Sequence, residues 1–122
     1  MITEQSTPAG FTVLGDITIT AGVPINLIDA FASLPYNIEG MMVRTLLFSA
    51  KHSNTGLIHI GNRTMAASGG NGTAITLPVP TVNSIPFIEF TSDSDNNNIP
   101  VGNFRVDGSV NEDIVRVSVL VA

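Results

Sequence analysis

The sequence contains no cysteine, no tryptophan and a single lysine, Lys51. Without cysteine, a disulfide framework, an iron–sulfur cluster, a thiolate zinc site and a cysteine nucleophile are all excluded. Lys and Arg total 5, against 10 Asp and Glu. This positive charge is too small to neutralise a run of phosphates or to hold an anionic bilayer. The sequence therefore predicts no nucleic-acid partner and no membrane partner.

Long apolar runs are also absent, since none approaches the ~18 residues that a spanning helix requires. Glu4 precedes every basic residue, so no signal peptide is predicted. A length of 122 residues fits one domain. We expect residues 1–10, which are polar and contain Pro8, to form a flexible arm that orders against a partner. Residues 11–122 are expected to form the domain.

Charged residues make up only 12% of the chain, whereas hydrophobic residues make up 43%. An average soluble domain has ~25% charged residues. Interface cores are depleted of charge and rich in apolar groups. This composition predicts a subunit that works inside an assembly. A surface of uncharged Asn, Thr and Ser is the alternative.

Apolar and β-branched residues recur with a period of two between clusters of Gly, Pro and Asn, which predicts short strands. The final strand is the clearest, because Val115, Val117, Val119 and Val121 share one face. We predict an all-β fold, a single antiparallel β-sandwich or jelly roll of about eight strands. The predicted strands are 11–19, 23–28, 41–50, 56–60, 74–79, 85–91, 101–106 and 115–121.

Two segments depart from simple alternation. Segment 29–40 is expected to hold one helical turn with Asp29 as its cap. Segment 41–50 is apolar on both faces, with Leu46 and Phe48 on one and Val43 and Leu47 on the other. A strand of this kind is covered from two sides, and we expect one cover to be another subunit.

Asp93, Asp95 and Asn97 have the alternating oxygen ligands of a calcium loop. The match fails further on, where Asn98 and Phe104 stand in place of the required Gly and Glu. We therefore interpret this segment as a solvated hairpin or an interface loop.

The two histidines, His52 and His59, are seven residues apart, so on an extended segment they point to opposite faces. No third nitrogen or sulfur ligand is nearby, and no serine lies in a nucleophile elbow. The sequence predicts no catalytic residue, no metal site and no cofactor.

A resemblance to a known class begins at KHSNTGLIHIGN (residues 51–62), where a strand, an Asn-Thr-Gly turn and a strand closing on Gly follow one another. ITAGVPINL (residues 19–27) and LPVP (residues 77–80) lie on either side. Together these segments resemble small virion proteins of tailed bacteriophages over residues 17–90. After Phe90 the chain departs from that pattern with an Asp/Asn loop and two further strands.

The resemblance implies a capsid decoration or cement protein, which binds the outside of an assembled head without catalysis. It implies a homo-oligomer, with a trimer favoured, and the major capsid protein as partner. The protein would be made in the host cytoplasm and located on the virion capsid surface. A glycan-binding or adhesin module of a tail or fibre, and a neck or tail joint protein, are the alternatives.

The predicted interface comprises three regions: the arm (residues 1–10), the two-faced strand around residues 44–48, and the Asp/Asn loop (residues 93–98). The residues predicted to make contacts are Ile2, Thr3, Pro8, Arg44, Leu46, Phe48, Asp93, Asp95 and Asn97.

Overall fold

The computed structural model describes residues 11–35, 37–93 and 96–121. In these residues two four-stranded antiparallel sheets pack around one hydrophobic core, and two short strands form a third, smaller sheet. The predicted all-β, antiparallel, sandwich-like fold is confirmed. The predicted arm at residues 1–10 lies outside the described residues.

The strands are more numerous than the sequence predicts, and most of them are shorter. They are β1 (Phe11–Thr18), β2 (Ile25–Asn26), β3 (Met42–Val43), β4 (Thr45–Ala50), β5 (Ile58–Asn62), β6 (Thr73–Leu77), β7 (Phe87–Thr91), β8 (Ile99–Pro100), β9 (Phe104–Gly108) and β10 (Ile114–Leu120). One α-helical turn, α1 (Leu27–Ala30), and two 3-10 turns, Ala67–Gly69 and Val101–Asn103, complete the described elements.

The first sheet has the order β1-β10-β4-β7, the second has the order β2-β9-β5-β6, and β3 pairs with β8. Val117 of β10 lies opposite Phe48 of β4, and both are fully buried. Ile60 of β5 and Val106 of β9 pair across the second sheet and are fully buried as well. The core therefore lies between the inner faces of the two sheets.

The alternation predicted for the final strand is confirmed at Val115, Val117 and Val119, which are all buried. Val121 follows the end of β10 and is 54% exposed, so it does not share their environment. The predicted alternation holds as far as the strand pairs with its neighbours.

The predicted strand 41–50 is divided at Arg44. β3 pairs with β8, whereas β4 pairs with β10 and β7. At the division Arg44 N–H donates to the carbonyl of Leu120 and the Arg44 carbonyl accepts from Ser92 N–H. One continuous apolar segment thus forms strands in two different sheets. This accounts for part of the difference between the observed and predicted numbers of strands.

The helical turn begins earlier than predicted. Asn26, not Asp29, occupies the N-cap position, and its side chain makes no capping hydrogen bond. Leu27 at the start of the turn is fully buried and Phe31 just after it is 5% exposed. Burial of these two side chains, and not a cap, sets the position of α1. The prediction of Asp29 as the cap is wrong.

Candidate interaction surface

The structure separates the predicted interface residues of β4 from the surface. Leu46 and Phe48 have no exposed area and belong to the core of this chain. Phe48 packs edge-on against Phe90, with ring centroids 6.0 Å apart. The second sheet of the same chain covers this face, so the prediction that these two side chains contact a partner is wrong. Arg44 is half-buried at the division between β3 and β4.

The other face of β4 points away from the core. Leu47 lies on this face, opposite Ser118 of β10 and Glu89 of β7. Leu47 is half-buried. The expectation that another subunit covers this face stays a prediction.

The Asp/Asn loop connects β7 to β8. Asp93 is exposed and Asn97 is half-buried. Asp95 lies outside the described residues, as do Ile2, Thr3 and Pro8 of the predicted arm. The loop and the arm stay predictions as interface regions.

The two histidines occupy different environments. His59 on β5 is 6% exposed, and its Nδ1 lies 2.9 Å from the hydroxyl of Thr76 on the neighbouring strand. His52 is exposed in the turn after β4. In the described residues no three His, Asp or Glu side chains converge where they could hold a metal ion.

A buried carboxylate, Asp107 on β9, holds three segments together. It is 1% exposed. One oxygen accepts from the backbone N–H of Gly22 at 3.1 Å and of Gly108 at 2.7 Å, and the other accepts from the N–H of Ser68 at 2.8 Å. Hydrogen bonds from backbone amides compensate a buried carboxylate for its lost hydration. Asp107 therefore joins the turn after β1 and the first 3-10 turn to the second sheet.

Two side chains, Asp113 and Asn54, hold the turn between β4 and β5 in place. Asp113 accepts hydrogen bonds from the N–H groups of Thr55 and Gly56 at 3.0 and 2.8 Å. The Asn54 amide donates to the carbonyl of Ile114 and accepts from its N–H, each at 2.8 Å. These polar side chains bind backbone groups, and their arrangement is that of structural clamps.

An ion pair lies on the outer face of the first sheet. Arg116 donates to both oxygens of Asp16, at 2.8 and 3.3 Å, and Lys51 lies 3.5 Å from the same carboxylate. The hydrogen bonds and charge of Arg116 lower the pKa of Asp16 below its usual 3.8. On this exposed sheet face the single carboxylate of Asp16 is thus paired with two cations.

Two of the surface clefts in the described part of the chain have volumes of about 230 and 250 Å³. Among the described lining residues, Glu39 is the ionisable one in the first cleft and Arg63 is the ionisable one in the second. Neither cleft brings an acid and a base together, which general acid–base catalysis requires.

The most distinctive surface is the crossing segment, residues 78–87, which carries the chain from β6 in the second sheet to β7 in the first. Val82 is 85% exposed and Phe87 is 62% exposed, and Val79 and Ile85 are exposed as well. Thr81 and Ser84 hold the tip in a tight turn by two reciprocal backbone hydrogen bonds. Large exposed apolar patches are found at binding sites, and four exposed apolar side chains within ten residues make this segment the candidate contact surface. Sequence reasoning missed this surface.

The sequence does contain a signal for it. The prolines at 78, 80 and 86 interrupt the apolar pattern of LPVPTVNSIPF and prevent one continuous strand. Apolar residues that lie between prolines are thereby placed outside the regular ladder, which would otherwise bury them.

A scan against family models and a search of curated proteins both find no match for this chain. The helical turns of the described residues are too short to cross a bilayer.

Proposed function

We propose that this chain is a non-catalytic structural subunit of a tailed-phage virion, of the decoration or cement type. In this role it binds the outside of an assembled head as a homo-oligomer, with the major capsid protein as its partner. The observation that carries the proposal is the crossing segment, which exposes Val82 at its tip and Phe87 at its end. The resemblance over residues 17–90 supports the virion context.

The energetics favour a protein partner for this segment. Removing apolar surface from water contributes ~25 cal/mol per Å², and the crossing segment exposes four large apolar side chains. The segment itself carries no charged side chain. A contact there is therefore made without desolvating an ion, which would oppose binding.

The test uses heads of the encoding phage prepared without this chain. Purified protein is mixed with them, and the bound fraction is measured by co-sedimentation. We expect the wild type to bind and Val82→Asp to bind about tenfold more weakly or worse, because a full apolar contact is worth ~1.5 kcal/mol and the new carboxylate must be desolvated. Asn83→Asp adds the same charge one residue away in the same exposed turn and serves as the control.

Wild-type protein that does not bind heads would contradict the proposal. Equal loss of binding in both variants would show that charge, and not the apolar contact of Val82, controls the interaction. A reproducible glycan-array signal without head binding would favour the adhesin alternative instead.

A further inference from the structure

The pairing of β7 with β4 determines which backbone groups of β7 point toward β4 and which point away from it. Ala50 N–H donates to the carbonyl of Pro86 at 3.0 Å, and Ser92 N–H donates to the carbonyl of Arg44 at 2.8 Å. The register between these two points contains no shift. In an antiparallel ladder, alternate residues direct both backbone groups toward the same neighbour. The even-numbered residues of β7 therefore bond to β4.

The odd-numbered residues, Phe87, Glu89 and Thr91, direct their N–H and C=O groups to the opposite side, where β7 is the edge of the sheet. No described residue pairs with these six backbone groups. Such an edge is a template for another strand.

Natural sheets protect their edges with bulges, very short strands, lysine or proline. The other edge strands in the described chain follow this rule. The register of β1 against β10 shifts between Val13 and Gly15, and that of β6 against β5 shifts at Ile60/Gly61 of β5. The strands β2, β3 and β8 have only two residues each. β7 has five residues and no shift. The one lysine, Lys51, bonds to Asp16 on β1, at the opposite edge.

Proline does not protect this edge either. Pro86 precedes β7, and its missing N–H belongs to the side that faces β4. The donors of Phe87, Glu89 and Thr91 are all retained. Of the described edges, β7 is thus the one left open to pairing.

We propose that β7 pairs with β7 of a second copy in antiparallel fashion, about a two-fold axis, so that two four-stranded sheets become one eight-stranded sheet. This inference deepens the proposed function and rests on it for the expectation that the chain self-associates. An isologous contact suits an antiparallel edge, because the free donors of one copy meet the free acceptors of the other in both directions.

Charge selects the register. An axis at Glu89 would place two carboxylates opposite each other, with Cβ atoms ~5 Å apart, which is unfavourable. An axis at Phe90 would place the apolar ring of Phe87 opposite the carboxylate of Asp93 of the other copy, which is also unfavourable. An axis at Ile88 places Phe87 opposite Glu89, whose aliphatic carbons can cover the ring. It also places the two Ile88 side chains opposite each other on the apolar inner face.

The preferred pairing therefore has its axis at Ile88. In this arrangement Phe87 of each copy, which is 62% exposed in the single chain, becomes part of the contact. Val82 is not part of β7, which begins at Phe87, and its 85% exposed side chain is the one we assign to the head contact.

The test is Glu89→Pro, compared with Glu89→Thr. Proline at 89 removes one outward N–H and leaves the β4 ladder intact, and edge strands tolerate proline in that orientation. Threonine removes the same carboxylate but keeps the N–H. By sedimentation velocity we expect the wild type and Glu89→Thr to be dimers of the 12.8 kDa chain and Glu89→Pro to be a monomer. Circular dichroism and urea unfolding confirm that each variant folds.

A second measurement reads the register and does not depend on proline. Because the chain has no cysteine, Ile88→Cys places a single thiol at the axis, ~4.5 Å in Cα separation from its copy, within disulfide range. We expect Ile88→Cys to form a disulfide-linked dimer on mild oxidation and Glu89→Cys to remain unlinked. The reverse result would overturn the register.

A wild-type monomer at micromolar concentration, or a trimer whose mass Glu89→Pro does not change, would overturn the pairing. Head binding is measured separately, with the Val82 and Asn83 variants. A monomer that still binds heads refutes the pairing and the homo-oligomer, and leaves the decoration role standing. A dimer that binds no heads refutes the proposed function and leaves the pairing standing.

Discussion

Replacement of Asp107 by alanine is expected to destabilise the fold strongly, although this residue belongs to β9 and not to the crossing segment or β7. Asp107 is 1% exposed and accepts three backbone N–H groups. Two of these donors, Gly22 and Ser68, are 85 and 39 residues away in sequence. The alanine variant would lose the contacts that connect both turns to β9.

The magnitude follows from those two long-range bonds. A hydrogen bond to a charged group contributes ~1.5–3 kcal/mol, so the pair contributes ~3–6 kcal/mol. Two effects reduce the loss: the variant no longer desolvates a carboxylate, and water can reach the N–H of Ser68, whose residue is exposed. We expect a net loss of ~2–4 kcal/mol, with Asp107→Asn in between because it keeps one acceptor oxygen.

Urea unfolding followed by circular dichroism measures this loss. With a slope of ~2 kcal/mol/M, the midpoint should fall by roughly 1–2 M. Asp93→Asn removes an exposed carboxylate and serves as the control, with an expected change within ~0.5 kcal/mol. If Asp107→Ala also stays within ~0.5 kcal/mol of the wild type, the view of Asp107 as a clamp is refuted.

Two further stability predictions concern other parts of the fold. Asp16→Asn should lower the free energy of unfolding by ~0.2–1 kcal/mol at neutral pH, the usual worth of an exposed ion pair. The pKa of folded Asp16 lies below its usual 3.8. This contribution is therefore present above pH 3.8 and disappears as the pH falls through the folded pKa. Urea titrations that show the same difference between wild type and Asp16→Asn at neutral and acid pH would contradict this. Gly61→Ala should cost ~1–3 kcal/mol, because its Cβ would meet the carbonyl of Gly72 and lie 2.8 Å from Met65 Sδ. A thermal melt unchanged from the wild type would exclude that close packing.

The sequence predicts the sheet architecture well where alternation is local. β10 has a period of two, and its inner face is buried because the second sheet packs against it. The division at Arg44 is not predictable in the same way. It arises because β3 pairs with β8, more than fifty residues away, and no local pattern contains that choice.

The candidate site is harder to predict for the same reason. Leu46 and Phe48 have the apolar character of both core and interface residues, and only the position of the second sheet assigns them to the core. Val82 and Phe87 look equally suited to burial, but the crossing segment carries them to the surface. Apolar character alone cannot distinguish a residue covered by its own chain from one covered by another.

Amide hydrogen exchange along β7 tests the central claim, that this edge and the crossing segment are covered by protein in the assembly. The N–H groups of Ile88 and Phe90 face β4 and should be protected under all conditions. We expect the N–H groups of Phe87, Glu89 and Thr91 to exchange fast in dilute protein and to become protected as the concentration rises or heads are added. Fast exchange at these three amides under every condition would contradict it.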